Sequence, residues 1–225
     1  MVIKIMRALL GLLLLPACFA FGRSFCLILL KSNVPMLEGL CLIFGVVAFI
    51  LCWFFLPHPV KTYVFGHELT HAIWGLLFLA RPSNLKVGEK GGSVNLTKTN
   101  FLITLAPYFF PFYTFLIIVA ALITLIFANP LPMLPLWIFF IGFTWAFHIL
   151  FTFETLSQRQ PDITLYGRLF SWTFIFIANI LVVLLWLSFV TSIFQFAVSC
   201  VSSSLIDAYS WTYRAVADVF LLFLR

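Results

Sequence analysis

Apolar stretches, each about as long as a membrane-spanning helix, recur along the chain and constrain its fold more than any other feature. A helix needs roughly 20 apolar residues to cross a hydrocarbon core of about 30 Å. Such stretches lie near 38–56, 61–80, 101–128, 135–155 and 169–199. Only 9% of the 225 residues are charged, whereas a soluble domain carries about 25%. The sequence therefore predicts an all-α polytopic membrane protein.

The two ends of the chain allow more than one interpretation. Residues 8–22 are apolar but short for a span, and they contain Pro16; they fit a true span, a re-entrant segment or a cleaved signal peptide. Near the other end, Ser204 and Asp207 form a Ser-x-x-Asp pattern, which is typical of a helix start. Polar residues then recur at helical spacing, which predicts an interfacial amphipathic helix over 200–225.

We expect these parts to form a single integral membrane domain over 1–225. It would contain an N-terminal apolar segment over 1–36, a transmembrane core over 37–199 and the interfacial helix, with about six transmembrane helices in all. The five cysteines include no Cys-x-x-Cys pair. Neither a disulfide framework nor a thiolate metal site is therefore expected.

Charged residues outside the apolar stretches predict how the chain is oriented. Loop 81–100 has four basic residues and one acidic one, and loop 157–168 has Arg159 and Arg168 against Asp162. Cytoplasmic loops carry an excess of Lys and Arg, so we expect both loops inside and the uncharged loop 129–135 outside. The stretches 38–56 and 61–80 precede loop 81–100. If each crosses the membrane once, Arg23 and Lys31 also lie inside. The net charge of +6, located in short loops, is typical of topology signals and not of a nucleic-acid-binding surface. We expect an integral, multi-pass protein of a bacterial cytoplasmic membrane.

One polar motif stands inside the apolar stretch 61–80. It reads Gly66-His67-Glu68-Leu69-Thr70-His71-Ala72. On a helix, His67 and His71 share one face, from which both imidazoles can bind one Zn²⁺ ion. Glu68 lies beside them and is placed to act as a general base. Ionisable side chains in a membrane helix are costly, so the motif predicts a function; hydrogen bonds between helices are the plainer explanation.

A zinc site requires at least a third protein ligand. The candidates are Asp162, His148 and Glu154, with His58 more remote. Asp162 precedes the last long apolar stretch, where a carboxylate also suits a helix N-terminus. His148 lies within a span and could be an auxiliary or substrate-stabilising group, although a plain interhelical hydrogen bond explains it as well. Glu154 ends its span and is expected to be solvated.

From about Tyr63 to Asn179, the chain resembles the site-2 protease family of intramembrane zinc metalloproteases. Residues 66–72 are similar to that family's membrane-embedded zinc-binding helix. The resemblance implies that His67 and His71 bind one Zn²⁺, that Glu68 is the catalytic base and that Asp162 is the third ligand. Ile163 follows Asp162, whereas the family's common motif has Gly there. No PDZ insertion is present, so the chain looks like a minimal member.

The polar segment after the zinc motif reads as strand, turn, strand. Leu85–Val87 and Ser93–Thr97 flank a Gly-rich turn, and Val94 and Leu96 alternate with polar residues, which is typical of a strand. Proteases commonly hold substrates extended by strand addition. We therefore expect a short cytoplasmic hairpin whose residues Gly92, Ser93, Val94 and Asn95 bind the substrate.

The leading interpretation is a zinc-dependent endopeptidase that cuts transmembrane protein substrates within the lipid bilayer. A catalytically silent membrane scaffold that keeps a protease-like fold is the alternative, but the intact Glu68 argues against it. A transporter that uses intramembrane polar residues is a third possibility. The lack of an internal repeat in the sequence argues against that class.

Overall fold

We describe residues 2–32, 34–89, 91–127, 133–190 and 194–223 of the protein from a computed structural model. Helices dominate, as the sequence predicts, and one two-stranded antiparallel sheet interrupts them. In chain order the elements are α1 (Val2–Lys31), α2 (Met36–Phe55), α3 (Val60–Leu77), β1 (Pro82–Gly88), β2 (Gly91–Leu96), α4 (Phe101–Phe109), α5 (Phe112–Phe127), α6 (Leu134–Ser157), α7 (Pro161–Tyr166), α8 (Arg168–Val190) and α9 (Phe194–Phe223).

Four of the described helices are long and apolar enough to cross a membrane, namely α1, α2, α6 and α8. The pair α4 and α5 is bent by 73° at a short break and counts as a fifth if it forms one span. These described helices support an all-α membrane protein but do not confirm the predicted number of about six spans. The helix α3 is absent from this set, because Lys61, His67, Glu68 and His71 reduce its hydropathy.

The chain forms two compact units. The terminal unit combines Met1–Asn33 with Ile163–Arg225, and the central unit is Val34–Asp162. In the terminal unit, α1 packs on α8 and α9. Residues 8–22 lie inside α1, which continues through Pro16. Buried Ser24 donates a hydrogen bond to the carbonyl oxygen of Cys200 (3.2 Å).

The C-terminal helix differs from the sequence prediction. It begins at Phe194, so Ser204 lies in its interior and does not cap it. Asp207 instead forms an ion pair with Arg23 (3.2 Å). The prediction of a helix start at Ser204 is therefore wrong, because a polar pattern of this kind also arises where a helix contacts a neighbouring helix. Arg225, which the predicted polar stripe included, lies outside the described residues.

In the central unit, α2 and α6 pack side by side and run parallel. Contacts advance together along both helices: Phe49 meets Phe143 and Phe147, and Trp53 meets Phe151 further on. Glycines permit this close approach. A Cβ added at Gly45 would lie 2.0 Å from the carbonyl oxygen of Phe139.

The parallel arrangement changes the predicted topology. Two helices that cross a membrane in the same direction are connected by an odd number of crossings. The segment between α2 and α6 therefore does not cross twice, as the predicted spans 61–80 and 101–128 require. The connection at Pro57–Pro59 accordingly lies at the same end of the central unit as Ser157, because Trp53 and Phe151 meet there. The sequence-based side assignment requires these helices to be antiparallel and is therefore wrong. Most of loop 129–135 lies outside the described residues.

The predicted hairpin is confirmed. It folds back along the whole length of α3. Leu96 contacts Gly75 near the end of that helix, and Lys61 near its start lies 3.0 Å from Glu89 at the hairpin turn. The hairpin is therefore packed beside α3.

Candidate metal centre

Three residues that the sequence singles out meet at one point of the central unit. His67 and His71 lie one helical turn apart on α3, and their ring centroids are 5.0 Å apart. The chain leaves α6 at Ser157 and re-enters a helix at Pro161, which brings Asp162 to the two imidazoles. One ligand atom of each residue lies within 4.8 Å of the other two.

The distances within this group suit a small cation. The Asp162 Oδ2 atom lies 3.6 Å from Nε2 of His67 and 3.4 Å from Nε2 of His71. Ligands held at about 2.0–2.1 Å around a tetrahedral zinc ion are separated from one another by roughly 3.3 Å. The two imidazoles are nearly enclosed, with 12% and 11% of their side chains exposed, and Asp162 is 29% exposed. These three residues therefore fit a zinc ion without large rearrangement.

The orientation of His71 is fixed from behind. Its Nδ1 atom lies 2.9 Å from the carbonyl oxygen of Ile103. A carbonyl oxygen can only accept, so the Nδ1 of neutral His71 carries the hydrogen and Nε2 presents a lone pair to Asp162. The cap of α4 holds the carbonyl in place, because Asn100 accepts a hydrogen bond from the Ile103 N–H (2.9 Å). A lone pair that faces a carboxylate calls for a cation between them, either a proton or a metal ion.

Two tyrosines that the sequence analysis did not single out contact the site. The Tyr63 hydroxyl lies 3.2 Å from Nδ1 of His67, and Tyr108 donates a hydrogen bond to Oδ2 of Asp162 (3.2 Å). Tyr63 lies four residues before His67, so the spacing that reveals the two imidazoles also places Tyr63 on their face. No comparable pattern identifies Tyr108, because α4 reaches the site only through the fold.

The Asp162 carboxylate is held in its ionised form. Burial raises the pKa of Asp162, but the interactions with the His67 and His71 imidazoles lower it more, so the pKa lies well below its usual value. An ionised carboxylate is the form that binds a metal ion. The neighbours that lower this pKa are the same groups with which the carboxylate would share the ion.

Glu68 lies next to the cluster but is not part of it. Only 8% of the residue is exposed, and the hairpin covers it. A Cβ added at Gly92 would lie 2.7 Å from Cγ of Glu68 and 2.7 Å from a methyl of Val64. Gly92 therefore brings the backbone of β2 directly onto Glu68, which connects the hairpin to the predicted base.

The other candidate ligands lie outside the three-residue cluster. His148 is buried and lines a small cavity together with Tyr63, His67 and Thr70. His58 is exposed, with its ring stacked on that of Trp53 at 3.8 Å. Glu154 is half-buried on the last turns of α6. Among the described residues, the groups that could jointly hold a metal ion are thus His67, His71 and Asp162.

The predicted substrate-binding residues all lie in β2. Gly92, Ser93 and Asn95 are exposed, and Val94 is half-buried. Their strand pairs only with β1 in the described chain, with Ser93 opposite Lys86 and Asn95 opposite Ser83. An exposed strand in a two-stranded sheet has backbone groups with which a further strand can pair.

Neither a family model nor a curated protein nor a solved structure matches the chain. The resemblance to site-2 proteases therefore stays a prediction from the sequence motif. Support for a function comes from the geometry of the cluster itself.

Proposed function

We propose that the protein is a zinc-dependent intramembrane endopeptidase that hydrolyses peptide bonds of membrane-embedded protein substrates, acting in a bacterial cytoplasmic membrane. The observation that carries the proposal is the convergence of two imidazole Nε2 atoms on one carboxylate oxygen, at 3.4 and 3.6 Å. His67, His71 and Asp162 would hold one ion. A bound Zn²⁺ supplies Lewis-acid chemistry, since it activates water and polarises a carbonyl group.

Glu68 is the proton carrier in this proposal. Its carboxylate accepts a proton from the attacking water and delivers it to the amine that leaves. Proximity to the cluster and near-complete burial support this role. Burial of a carboxylate is costly, so the place of Glu68 beside the cluster calls for a functional explanation.

The hairpin holds the substrate. A transmembrane helix must lose its internal hydrogen bonds before its backbone can be attacked, and a strand edge replaces them. An extended substrate segment adds along β2 at Gly92, Ser93, Val94 and Asn95. The contact between Gly92 and Glu68 supports this placement, because it brings β2 directly against the proposed base.

The first test is the zinc content of the full-length protein purified in detergent. The wild type is expected to hold about one Zn²⁺ per chain and His67→Ala far less, while His58→Ala, which changes an exposed histidine outside the cluster, retains it. A wild-type protein that holds no zinc, even after incubation with Zn²⁺, would overturn the proposal.

The second test is cleavage of labelled transmembrane peptides reconstituted in phosphatidylcholine vesicles. Zinc-loaded wild type is expected to cut at least one member of a varied panel, and removal of zinc by a chelator should stop it. Zinc binding without any cleavage contradicts the endopeptidase and favours the alternative, a catalytically silent scaffold that recognises membrane partners.

A further inference from the structure

Two hydroxyl groups lie in line behind His67, on the side of the ring that faces away from Asp162. The Tyr63 hydroxyl is 3.2 Å from Nδ1 of His67, and Thr155 Oγ1 is 2.9 Å from the Tyr63 hydroxyl. The Tyr63 ring is held firmly, since it stacks on Phe151 with centroids 4.6 Å apart and planes 8° from parallel. Thr155 is itself buried on α6. Tyr63 therefore contacts the proposed ligand His67, and neither hydroxyl contacts the proposed metal position itself.

The Thr155 hydroxyl has two partners but only one hydrogen. Besides Tyr63, it lies 2.7 Å from the carbonyl oxygen of Phe151. When Thr155 donates to this carbonyl, it can accept from Tyr63, and Tyr63 can then accept the Nδ1 hydrogen of His67. The Nε2 atom of His67 is then a lone pair directed at Asp162. When Thr155 donates to Tyr63 instead, the order reverses and His67 carries its hydrogen on Nε2, where it cannot bind a metal ion.

The two histidines are thus supported in different ways. The Ile103 carbonyl behind His71 can only accept, so it permits one arrangement. The hydroxyls behind His67 permit both. Exchange between the two requires rotation of two O–H bonds and transfer of the imidazole hydrogen between Nδ1 and Nε2, but no movement of a heavy atom. Metal ligands of the histidine type depend on such outer partners for their tautomer and orientation.

We propose that Tyr63 and Thr155 are positioning residues that form a hydroxyl relay ending on the Phe151 carbonyl. The relay holds His67 in the tautomer that binds Zn²⁺ through Nε2. This inference rests on the proposed zinc site. Loss of an outer partner of a metal-binding histidine typically weakens metal binding by about 10–100-fold.

The test is the dissociation constant of Zn²⁺ for the full-length protein in detergent, measured by competition with a chelator. Tyr63→Phe is expected to weaken binding by about 10–100-fold, and Thr155→Val also weakens it. Thr155→Ser keeps the hydroxyl and should bind as the wild type does. Tyr113→Phe is the matched control, because its hydroxyl donates to the Thr62 carbonyl (2.6 Å) and not to His67.

A double variant separates the relay from packing effects. Because Thr155 acts only through Tyr63, the Tyr63→Phe/Thr155→Val protein should bind Zn²⁺ no more weakly than Tyr63→Phe alone, whereas independent packing losses would add. Additive losses, or failure of Thr155→Ser to restore binding, overturn the relay. If the wild type binds Zn²⁺ and Tyr63→Phe binds it with the same dissociation constant, the relay is wrong but the proposed function stands. A wild type that binds no zinc overturns the proposed function and the relay together.

Discussion

Glu68 directly follows His67, but its side chain projects about 100° away around the helix axis. We therefore expect Glu68→Gln to keep its zinc and its fold, because the amide has the same size and is not a ligand. Cleavage should fall by several orders of magnitude, because the amide cannot accept the proton. Zinc content and peptide cleavage measured on one preparation check this. Loss of zinc in this variant would identify Glu68 as a ligand.

Asp162 and His148 are competing candidates for the third ligand, and a pair of substitutions separates them. Asp162→Asn should lose zinc almost as fully as His71→Ala, because each removes a donor from the cluster. His148→Ala should retain zinc, since His148 lines the neighbouring cavity. Metal analysis of the three purified variants decides the matter, and the opposite pattern would make His148 the ligand.

The sequence predicts the members of the candidate cluster better than it predicts their supports. His67 and His71 follow from their spacing on one helix, whereas Asp162 is one of several candidates and is preferred through the family resemblance. The Ile103 carbonyl and Tyr108 could not be predicted, because a backbone group carries no residue signature and α4 meets α3 only in the folded chain. Outer contacts of this kind depend on tertiary structure.

At the scale of elements, the contact between α2 and α6 depends on glycine. Gly45→Val should lower the free energy of unfolding by about 1–3 kcal/mol or more. The new side chain would overlap the Phe139 carbonyl. Gly39→Val on the same helix is the control, since a Cβ there meets nothing nearer than 3.9 Å. Thermal unfolding in detergent compares the two. Equal unfolding temperatures would contradict the close helix contact.

Hydropathy finds these helices but not their directions. The sequence analysis takes 61–80 as a span because most of its residues are apolar, yet α3 is not among the helices apolar enough to cross a membrane. Its residues Lys61 and Glu68 contact the hairpin that follows it. The strands themselves were predictable from the alternation at Val94 and Leu96. Their return along α3 was not, because the Lys61–Glu89 ion pair and the Gly92 contact join residues that are distant in sequence.

For the whole molecule, the parallel helices make a prediction about the two membrane faces. In a protein freed of its native cysteines, His58→Cys and Ser157→Cys should react with an impermeant maleimide from the same side of sealed vesicles. Val34→Cys should react only from the other side, since it precedes the start of α2. The labelling pattern of the three variants checks this. Labelling of Ser157→Cys from the same side as Val34→Cys, opposite to His58→Cys, would restore the antiparallel arrangement.

The position of the hairpin also has a consequence for hydration. A strand edge cannot face hydrocarbon, because each unsatisfied backbone group there costs several kcal/mol. Yet the hairpin extends along α3 from Gly75 to Lys61, past the buried Glu68. The side of α3 that carries the hairpin must therefore face solvent or protein and not lipid. Under the proposed function, each bond that is cut consumes one water molecule, and the flank proposed to receive the peptide would also admit this second reactant.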